Sequence, residues 1–265
     1  MTAFYGEGWA KRWECSVPLR RCRESKAKHF GHALHSLLSR WRYRSQSGTA
    51  VRRDFVEFPS QIFEHWMSAP ETLRRYARHY QTGQSIPEDL LRRLLAARTF
   101  NQGFATVAYT GSALLDLDLH REPSPQTLDL AQVEGEFLDR IGMPKEVGLR
   151  HRPAHFQQLL AGGGYAAGYY AYLWAEVLDA DGYATFTETG NVFDPELAAR
   201  LKAIYSAGDT TDPMELYRAF RSRDPKIDAL LNSAAWQRAN RPNAVARLVR
   251  IRRETPHEAV LARRA

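Results

Sequence analysis

Cysteine is almost missing from this chain, with Cys15 and Cys22 the whole complement of 265 residues. Two thiols near one end are too few for a disulfide framework or a four-thiolate metal site, so they read as reduced and without a functional role. Long apolar runs are missing too, none reaching the ~18 residues of a membrane-spanning helix. The opening stretch Met1-Thr2-Ala3-Phe4-Tyr5-Gly6-Glu7-Gly8 has no charged segment leading into an apolar one, as a secretory leader would. The expected compartment is therefore the cytoplasm, with no membrane partner. Strand-like alternation of apolar and polar residues is scarce, which argues against a β-rich fold.

The apolar fraction of 44% is ordinary for a globular protein, and the length suits one large domain or two small ones. A formal charge of +7 and a pI near 9.5 raise the question of a polyanionic partner. The excess is concentrated at the ends, in residues such as Lys11, Arg12, Arg20, Arg21 and Arg23, and again in Arg247, Arg250, Arg252, Arg253, Arg263 and Arg264. Solvated basic tails account for that distribution. A nucleic-acid arm interleaves aromatic residues or sits on a recognisable binding fold, so no nucleic-acid partner is expected.

The rest reads as a succession of helices. Phe30, Ala33, Leu34, Leu37 and Leu38 have helical spacing, which places a helix start near residue 28. Ser45-Gln46-Ser47-Gly48-Thr49 is a turn-rich break, and Phe55 to Met67 resumes as a helix with Pro59 in its first turn. Helices are expected over Pro70 to Tyr80, Pro87 to Arg98 and Gln102 to Leu117, and another opens at Ser124-Pro125 and carries Leu128, Leu130, Val133, Phe137 and Leu138 inward. Gly162-Gly163-Gly164 then precedes a long helix over Tyr165 to Leu178, followed by Pro195 to Ser206 and Pro213 to Arg221. The expected fold is mainly α, with little β structure and no internal repeat.

One segment has the character of a metal site. In a zinc helix of the form H-E-x-x-H, two imidazoles one turn apart reach the same ion while the glutamate between them holds a water. Here Lys28-His29-Phe30-Gly31-His32 keeps the second histidine, and Glu57 follows 25 residues later, beyond a turn, as a natural third ligand. The position of the first histidine is lysine, and that of the glutamate is His29.

Five blocks in order carry a wider resemblance: Phe30-Gly31-His32-Ala33-Leu34-His35; Ser47-Gly48-Thr49; Arg53-Asp54-Phe55-Val56-Glu57-Phe58-Pro59-Ser60-Gln61 with Glu64 and Trp66; Gly163-Gly164-Tyr165-Ala166-Ala167-Gly168-Tyr169-Tyr170-Ala171-Tyr172-Leu173-Trp174; and Phe220-Arg221 with Arg223-Asp224-Pro225. The chain resembles the C-terminal part of the catalytic domain of the thimet-oligopeptidase and peptidyl-dipeptidase family of zinc metallopeptidases. The resemblance implies a multi-helix zincin-type oligopeptidase fold over 28–232, flanked by unmatched basic segments at 1–27 and 233–265. It implies one zinc ion held by His32 and Glu57, with Asp54 orienting a ligand imidazole. It also implies short peptides as substrates, and tyrosines at 165, 169 and 172 that hydrogen-bond substrate and the tetrahedral oxyanion. Tyr165, Tyr169 and Tyr172 recur at i, i+4 and i+7, which places them on one face if the segment is helical. Read without the family, such a stripe is core or interface packing.

The departures touch chemistry. An ammonium beside a divalent cation is repulsive, and deprotonating a lysine near pH 7 costs about 4–5 kcal/mol from its ordinary pKa. A replacement ligand set of His29, His32 and Glu57 has the right types, because His29 and His32 lie at i and i+3. Even so, no carboxylate base remains. His35 reads as a packing residue, Gln158 stands where relatives have a histidine that steadies the transition state, and Ser222 replaces a glycine. The expectation is a peptidase of weak or no activity, or a non-catalytic peptide-binding relative. The family's other helices would leave an apolar face bare where they are missing, for self-association or a complementing chain to cover. The abrupt loss of resemblance before Phe30 is what a shifted reading frame or a truncated gene produces.

Overall fold

The computed structural model describes residues 19–123, 128–160 and 164–233, with side chains from Ala27 onward and without that of Gln158. It is mainly helical, and among the described residues the only β feature is an isolated bridge between Arg78 and Ser85. No described helix is long and apolar enough to cross a membrane. The described residues fall into two compact units, one within Met1–Phe100 and Ala171–Leu230, the other within Asn101–Tyr170 and Leu231–Ala265.

The first unit holds α1 (Leu19–Leu38), α2 (Arg53–Val56), α3 (Phe58–Trp66), α4 (Pro70–Tyr76) and α5 (Glu88–Ala96). Its later segment adds α9 (Ala171–Glu188), α10 (Pro195–Ala207), α11 (Pro213–Arg221) and α12 (Asp228–Ser233), the last ending past the unit's boundary. Phe55, Phe58, Ile62, Leu178, Phe186 and Tyr217 form the centre of its core. α1 starts well before residue 28, because Leu19 to Ala27 is built of good helix formers although it has no apolar period. Phe30 and Leu37 are 55% and 80% exposed, and among the described side chains of α1 the buried residues are Ala27, Gly31 and His35.

Glycine at position 31 is required by the packing. A Cβ there would sit 2.4 Å from the Pro59 carbonyl oxygen and 2.6 Å from Ser60 Cα, so α1 and α3 cross backbone to backbone at this point. Pro59 has the first-turn place expected of it and has no N–H to lose there. Its carbonyl accepts a 2.5 Å hydrogen bond from the Tyr205 hydroxyl of α10, which ties the crossing to the core.

At the far end of α9 a buried network closes the unit. Asp181 accepts from both Arg223 guanidinium nitrogens, at 3.0 and 2.6 Å, and from the Tyr217 hydroxyl at 2.8 Å. Arg221 pairs with it at 3.4 Å and also grips Glu188 with both terminal nitrogens. Ser222 ends α11 in the left-handed region at φ 64, and its hydroxyl accepts from Arg200 of α10 at 2.9 Å.

In the second unit, α6 (Gln102–Leu119) packs with α7 (Leu130–Arg140), and the short α8 (Gln157–Leu160) follows. Asp129 caps α7 by accepting from Ala131 and Gln132. The expected opening at Ser124-Pro125 lies outside the described residues. Of the expected inward positions, Phe137 is buried and Leu128, Leu130, Val133 and Leu138 are half-buried. α4 stops at Tyr76, short of Tyr80, because Arg78 turns into the bridge with Ser85.

Candidate active site

The crossing at Gly31 brings one histidine to one glutamate. His32 Nε2 lies 3.3 Å from Glu57 Oε2, with the Glu57 side chain almost wholly enclosed. Glu57 is held at the joint between α2 and α3, and the Ser60 hydroxyl donates to its Oε2 at 3.0 Å. Burial pushes the Glu57 carboxyl up, but the bonds from His32 and Ser60 and the charge of Lys28 outweigh it and hold its pKa below the ordinary range. His32 Nδ1 is buried without a hydrogen-bond partner. Asp54, expected to orient a ligand imidazole, is half-buried on α2 and makes no hydrogen bond to His32 among the described residues.

Two donors 3.3 Å apart match the edge of a tetrahedron with zinc-to-ligand bonds of about 2.0–2.1 Å. The set stops there. No group of three His, Cys, Asp or Glu residues able to hold a metal ion occurs among the described residues. His29 does not complete it: its side chain is exposed on α1 while His32 turns half-buried toward Glu57. His35 is 1% exposed, stands edge-on to Tyr205, and has its pKa lowered to about 4 by burial and by His32. A buried neutral imidazole packed in that way matches its reading as a packing residue. The residues present therefore do not fit a three-ligand zinc site.

Lys28 stands where the resemblance leads one to expect a first ligand. Its ammonium is 3.3 Å from Glu64 Oε1 on α3 and lies 5.5 Å from the centre of the Tyr172 ring on α9. Glu176, one turn beyond Tyr172, has its pKa raised to about 7 by burial and by Asp179, with Lys28 and His65 pulling the other way. Asp179 in turn receives His65 at 2.6 Å and the Gln61 amide at 3.0 Å, and Gln61 also donates to the Tyr172 carbonyl. His65 stacks on Tyr183 with ring centres 4.7 Å apart.

The tyrosines are placed differently from expectation. α9 starts at Ala171, so Tyr165 and Tyr169 lie in turns and only Tyr172 is helical. The cause is Asp116 of α6, a buried carboxylate that accepts the backbone N–H groups of Ala167 at 3.1 Å and Tyr169 at 2.9 Å. Those N–H groups are thereby withdrawn from a helical ladder, and Ala167 takes a left-handed φ of 53. Tyr169 is buried against Tyr109 and Phe156, whereas Tyr165 is half-buried in the turn. Gly162 and Gly163 lie outside the described residues, as does the side chain of Gln158 on α8.

The stripe that α9 does carry is Tyr172, Glu176, Asp179 and Tyr183, at i, i+4, i+7 and i+11. Its periodicity was available in the sequence. Its acids were masked by the run of apolar residues between them, and the pairing of Lys28 with Glu64 joins positions too far apart for any local period to reveal.

A helix that presents a histidine to a glutamate at the start of a following helix, across a glycine contact, is the arrangement that the resemblance to a helical peptidase leads one to expect. The description "Peptidase family M3" matches residues 26–236. Dipeptidyl carboxypeptidase of Salmonella typhimurium is 43% identical over 205 residues, and that of Escherichia coli 41%, each match covering 76% of this chain and 30% of the relative. Oligopeptidase A of Escherichia coli is 38% identical over the same shares. The chain belongs to peptidase family M3 and spans about 30% of the length of these curated relatives.

Proposed function

We propose that this chain is a non-hydrolytic member of its family, a cytoplasmic protein that binds short peptides without turning them over. The observation that carries the reading is Lys28, a cation paired to Glu64 at the first-ligand place. Two others support it: a glutamate positioned to activate water is replaced by an exposed His29, and the donor set ends at His32 and Glu57. Peptide binding is drawn from relatives whose names describe a dipeptidyl carboxypeptidase and oligopeptidases. Tyr172 faces the same pocket as Lys28, and Tyr165 and Tyr169 are assigned to the peptide by the resemblance alone. Exposed Phe30, Leu37 and Trp41 supply the apolar surface that self-association or a complementing chain would cover.

Fluorogenic oligopeptides incubated with the purified chain and added zinc test the reading. No turnover above the protein-free rate is expected, and fluorescence anisotropy should detect binding of the uncleaved peptides. The paired change Lys28→His with His29→Glu is expected to leave turnover absent, because the chain covers only part of its relatives' length. A second reading, weak zinc-dependent hydrolysis, is favoured by the 3.3 Å spacing of His32 and Glu57. It predicts turnover that rises with added zinc and disappears with chelator.

A further inference from the structure

The surroundings of Lys28 bring together acids from three elements, with His65 as a further basic group near Glu176. Glu57 closes α2, Glu64 lies on α3 and Glu176 on α9, while the ammonium reaches in from α1 to within 3.3 Å of Glu64. The other flank of the ammonium is the face of Tyr172, at cation–π distance. Half-exposed ion pairs of this kind contribute little singly, but an ammonium shared by several carboxylates is the charge that keeps them from repelling one another.

We propose that the Lys28 ammonium is the resident cation of this pocket: held by Glu64 and Tyr172, it supplies in covalent form the positive charge the carboxylates require, and it thereby excludes divalent metals. This rests on the non-hydrolytic reading and extends it from what the site has lost to what replaced the loss. The lysine is then a structural part and a selectivity filter together. A dication approaching His32 and Glu57 meets a charge of its own sign.

The full chain, purified with chelator, tests this by melting in EDTA, in Zn²⁺ and in Co²⁺, with the visible spectrum of the Co²⁺ sample recorded. The wild type is expected to melt at one temperature in all three and to show no Co²⁺ bands. Lys28→Met is expected to melt lower in EDTA, to recover with Zn²⁺, to develop Co²⁺ bands, and to bind Zn²⁺ at least about tenfold more tightly than the wild type. Lys28→Arg should keep the indifference of the wild type to metal. If Lys28→Met folds only with Zn²⁺, the inference is supported. If it folds under no condition, Glu64→Gln decides, with a lowered melting temperature that metal does not restore in support and an unchanged one against. A wild type that Zn²⁺ stabilises, or a Lys28→Met variant that melts like the wild type and ignores Zn²⁺, overturns the inference. Turnover by metal-free wild type would instead sink the non-hydrolytic reading and leave the role of Lys28 standing. Metal binding without turnover would do the reverse.

Discussion

Asp181 and Glu176 lie five positions apart on the same helix, yet their surroundings differ in kind. Asp181 meets two guanidiniums and a tyrosine hydroxyl, and every partner sits on or just beyond α11. Glu176 is pushed up to a pKa of about 7 first by burial and then by Asp179 and Glu64, with one lysine and one histidine pulling the other way. The first cluster satisfies its charges within the fold and reads as architecture. The second is left with excess acid, and one ammonium offsets part of it.

Removing the carboxylate from the well-compensated cluster should have the largest effect. Asp181→Ala leaves the Arg221 guanidinium, whose side chain is 7% exposed, with Glu188 alone and takes the carboxylate from Arg223 and the Tyr217 hydroxyl, and chemical denaturation is expected to show a loss of about 3–5 kcal/mol. Gly31→Ala comes next. Its methyl group meets backbone of α3, so the helices must part, and a loss of about 1–3 kcal/mol is expected together with a wider separation of His32 from Glu57.

Glu176→Gln sharpens the comparison through pH. Because the folded carboxyl titrates near 7 and the unfolded one near 4.5, the folded state holds the extra proton between those values, and wild-type stability should fall as pH rises from about 4.5 to about 7. The variant should lack that fall and be more stable than wild type by about 1–3 kcal/mol at pH 8. Melting curves taken across the interval would check the slope, and a wild type whose stability is flat there would refute the assignment. The smallest effect belongs to an exposed pair of neither cluster: Arg74→Gln, which loses the contacts with Glu88, should leave the melting temperature unchanged.

The sequence made the helical class legible, and with it the meeting of His32 and Glu57, because a period of 3.6 and a short spacing are local signals. The starts of α10 and α11 were equally plain, each with Asp before Pro. The start of α9 was hidden, since the turn over Tyr165 to Tyr170 is dictated by Asp116, a residue some fifty positions earlier whose role no local pattern announces. The start of α1 was missed for the opposite reason, its first turns being helical by propensity while their apolar period is absent. Lys28 was legible as a departure, but its partnership with Glu64 appears only once α1 and α3 cross.

Ser222 carries a consequence for the joint at the end of α11. A residue with a Cβ in the left-handed region costs about 1 kcal/mol relative to glycine, yet here the side chain that imposes the strain also receives Arg200, whose guanidinium bridges from α10 to the last carbonyls of α11. The strained backbone comes with a cross-brace between two helices, so Ser222→Gly would relax one joint and loosen another, leaving the net change small in either direction.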